Sequence, residues 1–114
     1  MGKIVGRPAG PYLKRFEHVG KHHHSCVYLL GFDNGVVKIG FSEAPAFRLA
    51  VLAKEWDRQS IHIDHFCVFT GGRPLERACI ARLHAVAQPL PGRLEYFTGI
   101  GYDEALALVQ SQAA

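Results

Sequence analysis

"CVYLLGFDNGVVKIG", residues 26–40, is two short apolar runs folded about Asp33-Asn34-Gly35. Those three residues suit a type I turn closed by Gly35 in the left-handed conformation. Such a loop pairs Phe32 with Val36, Leu30 with Lys38 and Tyr28 with Gly40. Tyr28 and Lys38 then lie on one face as diagonal neighbours, within reach of one ligand. A two-residue Asn-Gly turn pairs Gly31 with Lys38 instead and sends the two side chains to opposite faces. Loop length therefore decides whether a tyrosine and a lysine share a surface. Each also has an ordinary explanation, since Tyr is a good strand former and Lys can snorkel from an edge.

Outward from the hairpin, periodicity predicts a helix from about Glu43 to Trp56, with Ser42 as N-cap and Pro45 in its first turn. Residues 60–70, "SIHIDHFCVFT", alternate as a strand and are broken by Gly71-Gly72. Pro74 opens a second helix to about Ala87, stopped before Pro89 and Pro91. "RLEYFT" (93–98) has the composition of a short strand, and a last helix runs from about Tyr102 to Gln112. The fold class expected is α+β: a small three-stranded antiparallel or mixed sheet flanked by about three helices.

The chain of 114 residues is one domain long, and its 48% hydrophobic and 20% charged residues are those of a soluble globule. It has no apolar run long enough to span a membrane and no secretory h-region. Cys26, Cys67 and Cys79 are odd in number and form no CxxC pair, so they read as small buried hydrophobes in a reducing compartment, the cytoplasm. The net charge of +3 is uneven: residues 1–25 carry +4 and the remainder −1. Residues 1–24 read as a basic arm, in which "YLKRFEHV" (Tyr12 to Val19) can form a short helix, and 25–114 as the folded domain. Lys14, Arg15 and Lys21 of the arm are candidates for contact with nucleic-acid phosphate, although a solvated tail has the same charge. Three adjacent histidines, His22 to His24, cannot all face one ion from an extended chain.

Two helical positions break the pattern. On the first helix Pro45, Leu49, Leu52, Ala53 and Trp56 share the core stripe, and Arg48 lies at its border, where an arginine ordinarily snorkels. On the second, Leu75, Cys79, Ile80, Leu83, Val86 and Ala87 share one face with Glu76 in its middle. A carboxylate among core residues is costly unless it is paired or binds a cation. Glu76 also falls in the first turn, where the helix dipole favours an acid.

Taken in order, "CVY" (26–28), "KIG" (38–40), "GFSEAPAFR" (40–48), "LERACI" (75–80) and "GRLEYF" (92–97) resemble the GIY-YIG endonuclease superfamily, and within it a bacterial and phage branch. The resemblance covers roughly residues 26–110. It implies hydrolysis of a DNA phosphodiester with one divalent cation, Mg²⁺ or Mn²⁺, and no small-molecule cofactor. By the same resemblance Tyr28 helps activate water and Lys38 stands where the second motif has Tyr. Gly40 and Ser42 line the substrate side, Arg48 holds the scissile phosphate and Glu76 ligates the metal. Lys38 beside Tyr28 would supply the positive charge that a phenolate base needs. The chain departs from the family at Leu52, where some members have His, and Glu95 and Tyr96 fall in the region of a later Asn. The alternatives are a non-catalytic nucleic-acid-binding module on the same fold and an unrelated α+β interaction domain.

Overall fold

In a computed structural model that describes residues 11–20 and 25–113, strands β1 (Cys26–Phe32) and β2 (Val37–Ser42) form the expected antiparallel hairpin. Gly35 N–H donates to the Phe32 carbonyl at 3.0 Å, Phe32 N–H to the Val36 carbonyl at 2.9 Å, and Gly35 has φ +86°. The Asn34 side-chain oxygen accepts from Val36 N–H at 3.1 Å. This is the three-residue loop, and the register follows from it: Leu30 faces Lys38 and Tyr28 faces Gly40.

Further strands extend the hairpin on both sides. β3 (Ile63–Thr70) pairs with β1, β5 (Arg93–Thr98) with β2, and β4 (Gln88–Leu90) with β5, giving an open antiparallel sheet in the order β3-β1-β2-β5-β4. Five strands replace the three expected. "RLEYFT" is a full member of the sheet, and Gln88–Leu90 is a strand rather than a break. Pro89 is compatible with a strand there because β4 is an edge, where a missing N–H need not cost a ladder bond. Gly92, at φ +71°, makes the reversal between β4 and β5.

Four helices cover the two faces: α1 (Pro11–Gly20), α2 (Pro45–Asp57), α3 (Arg73–Val86) and α4 (Tyr102–Ala113). Strand alternation sends Val27, Leu29, Val37 and Ile39 to one side, where they pack with Cys79, Leu83, Ala105 and Val109 of α3 and α4. Tyr28, Leu30 and Phe32 point to the other side and pack with Phe16, Leu49, Ala50, Leu52 and Ala53 of α1 and α2. Cys26 and Cys79 are buried, and burial pushes both thiols up to about 11, as for inert core cysteines.

Part of the expected arm belongs to the body. Residues 11–20 form α1, whose Phe16 is fully buried and meets Phe66 edge-on with ring centroids 4.9 Å apart. Tyr12 Oη donates to Asp57 Oδ2 at 2.7 Å, and Arg15 Nη2 donates to the Ile63 carbonyl at 2.8 Å. The basic residues of this segment are therefore spread along an amphipathic helix whose apolar side is a core side. Lys21 and His22 to His24 lie outside the described residues.

Smaller differences have local causes. α2 starts at Pro45 with Ala44 as its cap residue, because Ser42 ends β2 and its Oγ accepts Ala44 N–H at 2.9 Å in a local turn. α3 starts at Arg73, one residue before Pro74. Val86, expected on the core face, is 59% exposed at the last residue of α3. β3 starts at Ile63 because Ser60 turns the chain at φ +60° and His62 exchanges hydrogen bonds with Asp33 of the hairpin loop.

Phe16→Ala should lower unfolding free energy by about 3–5 kcal/mol, the cost of emptying a large buried aromatic site, read as a lower urea midpoint. A loss below about 1 kcal/mol would mean that α1 is not docked in solution. Asp57 also bonds His62 Nδ1 at 2.7 Å. That hydrogen bond raises the His62 pKa. Burial alone would raise the Asp57 pKa, but bonds from His62 and Tyr12 outweigh it and lower it. The His62 contribution to stability is thus complete below its unfolded pKa of ~6.5 and is lost as pH rises through the higher folded value. The Asp57 contribution is present above ~3.9 and is lost as pH falls through the lower folded value. Asp57→Asn should therefore cost most between these limits, seen as the largest Tm difference from wild type near pH 5–6.

Candidate functional site

Tyr28 is 1% exposed and its ring lies across Gly40, the residue opposite it in the hairpin. A Cβ at Gly40 would sit 2.3 Å from both the ring Cζ and the hydroxyl oxygen, so only glycine allows the phenol this position. Arg48, in the first turn of α2, is exposed beside it. A hydrogen bond with Tyr28 holds the Arg48 guanidinium above the usual arginine range, against partial desolvation, with further support from Glu55 and Tyr96. Arg48 is therefore a permanent cation whose chief polar partner is the phenol. Lys38, expected to bring a positive charge beside Tyr28, also lies against its ring.

Lys38 does share the face of Tyr28, as the register requires, and is 2% exposed. Its Nζ lies 5.3 Å from the Tyr28 ring centroid and 4.9 Å from that of Tyr96, its partner across β2 and β5. The ammonium donates to Glu95 Oε1 at 3.1 Å and is 3.5 Å from the Ile39 carbonyl. Two ring faces, a carboxylate and a carbonyl replace the water that an ammonium loses on burial.

Glu76 enters from α3, on the other side of the sheet. It is 5% exposed, and Arg73 Nη1 lies 3.4 Å from its Oε1. Desolvation raises its pKa first, and the charge of Glu95 and a hydrogen bond with it raise it further; Arg73 and Lys38 pull it back. Glu95 is thus the hinge of the arrangement, touching Lys38 and facing Glu76 where the β2–β5 pairing ends at Lys38 and Tyr96. Arg73 also stacks over Phe41 at 4.8 Å.

Tyr28, Lys38, Gly40 and Arg48 are brought together on one face, and Glu76 is joined to them through Glu95. Ser42 is engaged in its local turn beside this group. Arg15 is not part of it: it bonds Ile63 and stacks on Phe66 at the β3 edge, across β1 from β2 and β5. Lys14 is exposed on α1. Arg73 was not foreseen, although its i,i+3 spacing to Glu76 is a readable signal. Glu95 and Tyr96 were placed near the site only by resemblance, since strand pairing across 57 residues leaves no local trace.

Among the described residues no group of three or more His, Cys, Asp or Glu side chains is placed to hold a metal ion. Glu76 and Glu95 form a pair. Two neighbouring carboxylates, with Glu95 raising the proton affinity of Glu76, suit a hard divalent cation such as Mg²⁺, which takes one or two carboxylates and completes its shell with water and phosphate oxygens. Among models of known protein families, curated proteins and solved structures, none matches the chain.

Because the Glu76 pKa is raised on folding, its charge opposes the folded state at neutral pH, and that penalty disappears as pH falls toward the unfolded value of ~4.3. Glu76→Gln should therefore raise Tm at pH 7 and leave it nearly unchanged at pH 4. Millimolar Mn²⁺ should raise the Tm of wild type and not that of the variant. A lower Tm for Glu76→Gln at pH 7 would instead make the carboxylate a structural partner of Arg73.

Proposed function

We propose that the chain is a metal-dependent endonuclease of the GIY-YIG type that hydrolyses DNA phosphodiester bonds. The observation that carries this reading is the tyrosine over a glycine-only position with an arginine at its side, joined by Lys38 and Glu95 to a buried glutamate of raised proton affinity. A buried phenol beside an exposed guanidinium, and two neighbouring carboxylates, are more than packing requires. The finer description of the fold, GIY-YIG-like, belongs to the same proposal, as does a cytoplasmic location.

A phosphodiester resists attack because it and hydroxide are both anions, so the site has to neutralise charge and take a proton from water. Arg48 offers a planar fork to two phosphate oxygens. In this reading the Tyr28 hydroxyl beside it helps to orient and activate the attacking water. Lys38 holds Tyr28 and Tyr96 by their ring faces and keeps Glu95 oriented toward Glu76. Glu76 and Glu95 would hold Mg²⁺ or Mn²⁺, which when bound supplies positive charge to the leaving oxygen. Gly40 leaves the space above the sheet that the phenol occupies.

One observation favours a second reading, a non-catalytic nucleic-acid-binding module on the same fold. The Lys38 ammonium, 3.1 Å from Glu95, already supplies a positive charge to the acidic pair. DNA binding without cleavage would need Arg48 and its neighbours but not Glu76.

Supercoiled plasmid incubated with the protein and Mg²⁺ or Mn²⁺ should be nicked, and EDTA should abolish nicking. Tyr28→Phe and Arg48→Ala should each slow nicking by roughly 10²–10³-fold, and Glu76→Gln should remove it without loss of fold. Lys38→Met should fold and cut more slowly. A folded wild-type protein that retards plasmid on a gel yet never nicks it, in either metal, would reject the enzyme in favour of the binding module.

A further inference from the structure

Beside the candidate site, α2 and β5 present a second feature that hydrolysis does not use. Phe32, Trp56 and Tyr96 form an aromatic cluster: Trp56 lies 5.5 Å from Phe32 and 5.7 Å from Tyr96 between ring centroids. Trp56 and Tyr96 are only half-buried. Next to them is an open cleft of about 350 Å³ lined by Glu55, Trp56, Arg58, Gln59, Arg93 and Tyr96. The exposed Arg93 guanidinium covers both rings, 5.3 Å from the Trp56 centroid and 5.5 Å from that of Tyr96.

We propose that this cleft holds an unpaired base of a DNA single strand, stacked on the Trp56 ring with Tyr96 as the adjoining wall, while the strand continues past Tyr96 toward Arg48. The inference rests on the DNA reading of the neighbouring site and adds a preference for single-stranded segments next to the cut. Three observations carry it. The Arg93 cation already lies over the rings, so they are open to a partner from this side, and stacking on aromatic side chains is the sequence-tolerant way to bind an unpaired base. The cleft volume falls within the roughly 300–1,000 Å³ of small-molecule sites. Arg58 and Arg93 outweigh Glu55 in charge around the opening, which suits a polyanionic backbone. Tyr96 ties the cleft to the candidate site, since the same ring lies 4.9 Å from Lys38 Nζ. A duplex keeps its bases stacked and offers none to this cleft.

Trp56 is the single tryptophan of the chain, so its emission reports on the cleft alone. The full chain in EDTA is titrated with labelled oligo(dT) and with a blunt duplex of equal length, recording DNA anisotropy and tryptophan emission together. Oligo(dT) should bind and quench Trp56, whereas the duplex at equal saturation should leave its emission unchanged. Trp56→Leu should weaken oligo(dT) binding roughly tenfold, the scale of one stacked base, and duplex binding by less than about twofold. Arg93→Glu, a surface change that should not affect folding, should weaken oligo(dT) binding at least as much. Equal quenching by both DNAs, or binding of oligo(dT) with silent Trp56 emission, would overturn the stacking inference while leaving the nuclease reading intact. No anisotropy change with either DNA would overturn both.

Discussion

The three-residue turn at Asp33-Asn34-Gly35 is the constraint on which the rest of the structure depends. Side chains alternate along a strand, so a slip of one residue would exchange the two faces of β2 relative to β1. The turn holds Tyr28 opposite Gly40 and Lys38 opposite Leu30. With that register, Val27, Leu29, Val37 and Ile39 form a dry surface for α3 and α4, and Tyr28 lies in the only kind of space that can accept it, above a residue without a Cβ. Asp33 also bonds the His62 backbone, so the same loop sets where β3 begins.

Lys38 is the electrostatic consequence of that register. An ammonium turned inward has to find new partners, and here they come from both β1 and β5: the Tyr28 and Tyr96 rings and the Glu95 carboxylate. Glu95 in turn faces Glu76, whose own cation is Arg73 on the same helix. Acids and bases from two faces of the sheet thus form one coupled group at the place where β2 and β5 cease to pair. Among the described residues, no buried side-chain nitrogen or oxygen is left without a hydrogen-bond partner. Glu76 nevertheless retains a raised proton affinity, because burial and the charge of Glu95 outweigh Arg73 and Lys38.

α1 shows how charge can mislead. Counted along the sequence, residues 1–25 are a basic segment on a near-neutral body. In the fold, Phe16 and Val19 of α1 are buried, while Arg15 is held by Ile63 and the Phe66 ring at the β3 edge of the sheet, away from β2 and β5. Positive charge near the candidate site comes instead from Lys38, Arg48, Arg73 and Arg93, residues scattered over four elements, β2, α2, α3 and β5.

The local grammar of the chain was legible because its causes are local. A turn with Gly at its left-handed position sets a register, and apolar residues at helical spacing mark the buried stripe of α2 through Leu49, Leu52 and Ala53. A carboxylate inside the stripe of α3 stands out by position alone. For these reasons the α+β class, the hairpin, the shared face of Tyr28 and Lys38, and the oddity of Glu76 could be read along the chain. Long-range packing set the rest: β4 and β5 complete the sheet, α1 is core, Arg48 joins Lys38 beside the phenol, and Glu95 links Lys38 to Glu76. Each of these depends on contacts between residues far apart in the chain, where burial and electrostatic pairing are set by packing and not by spacing along the sequence.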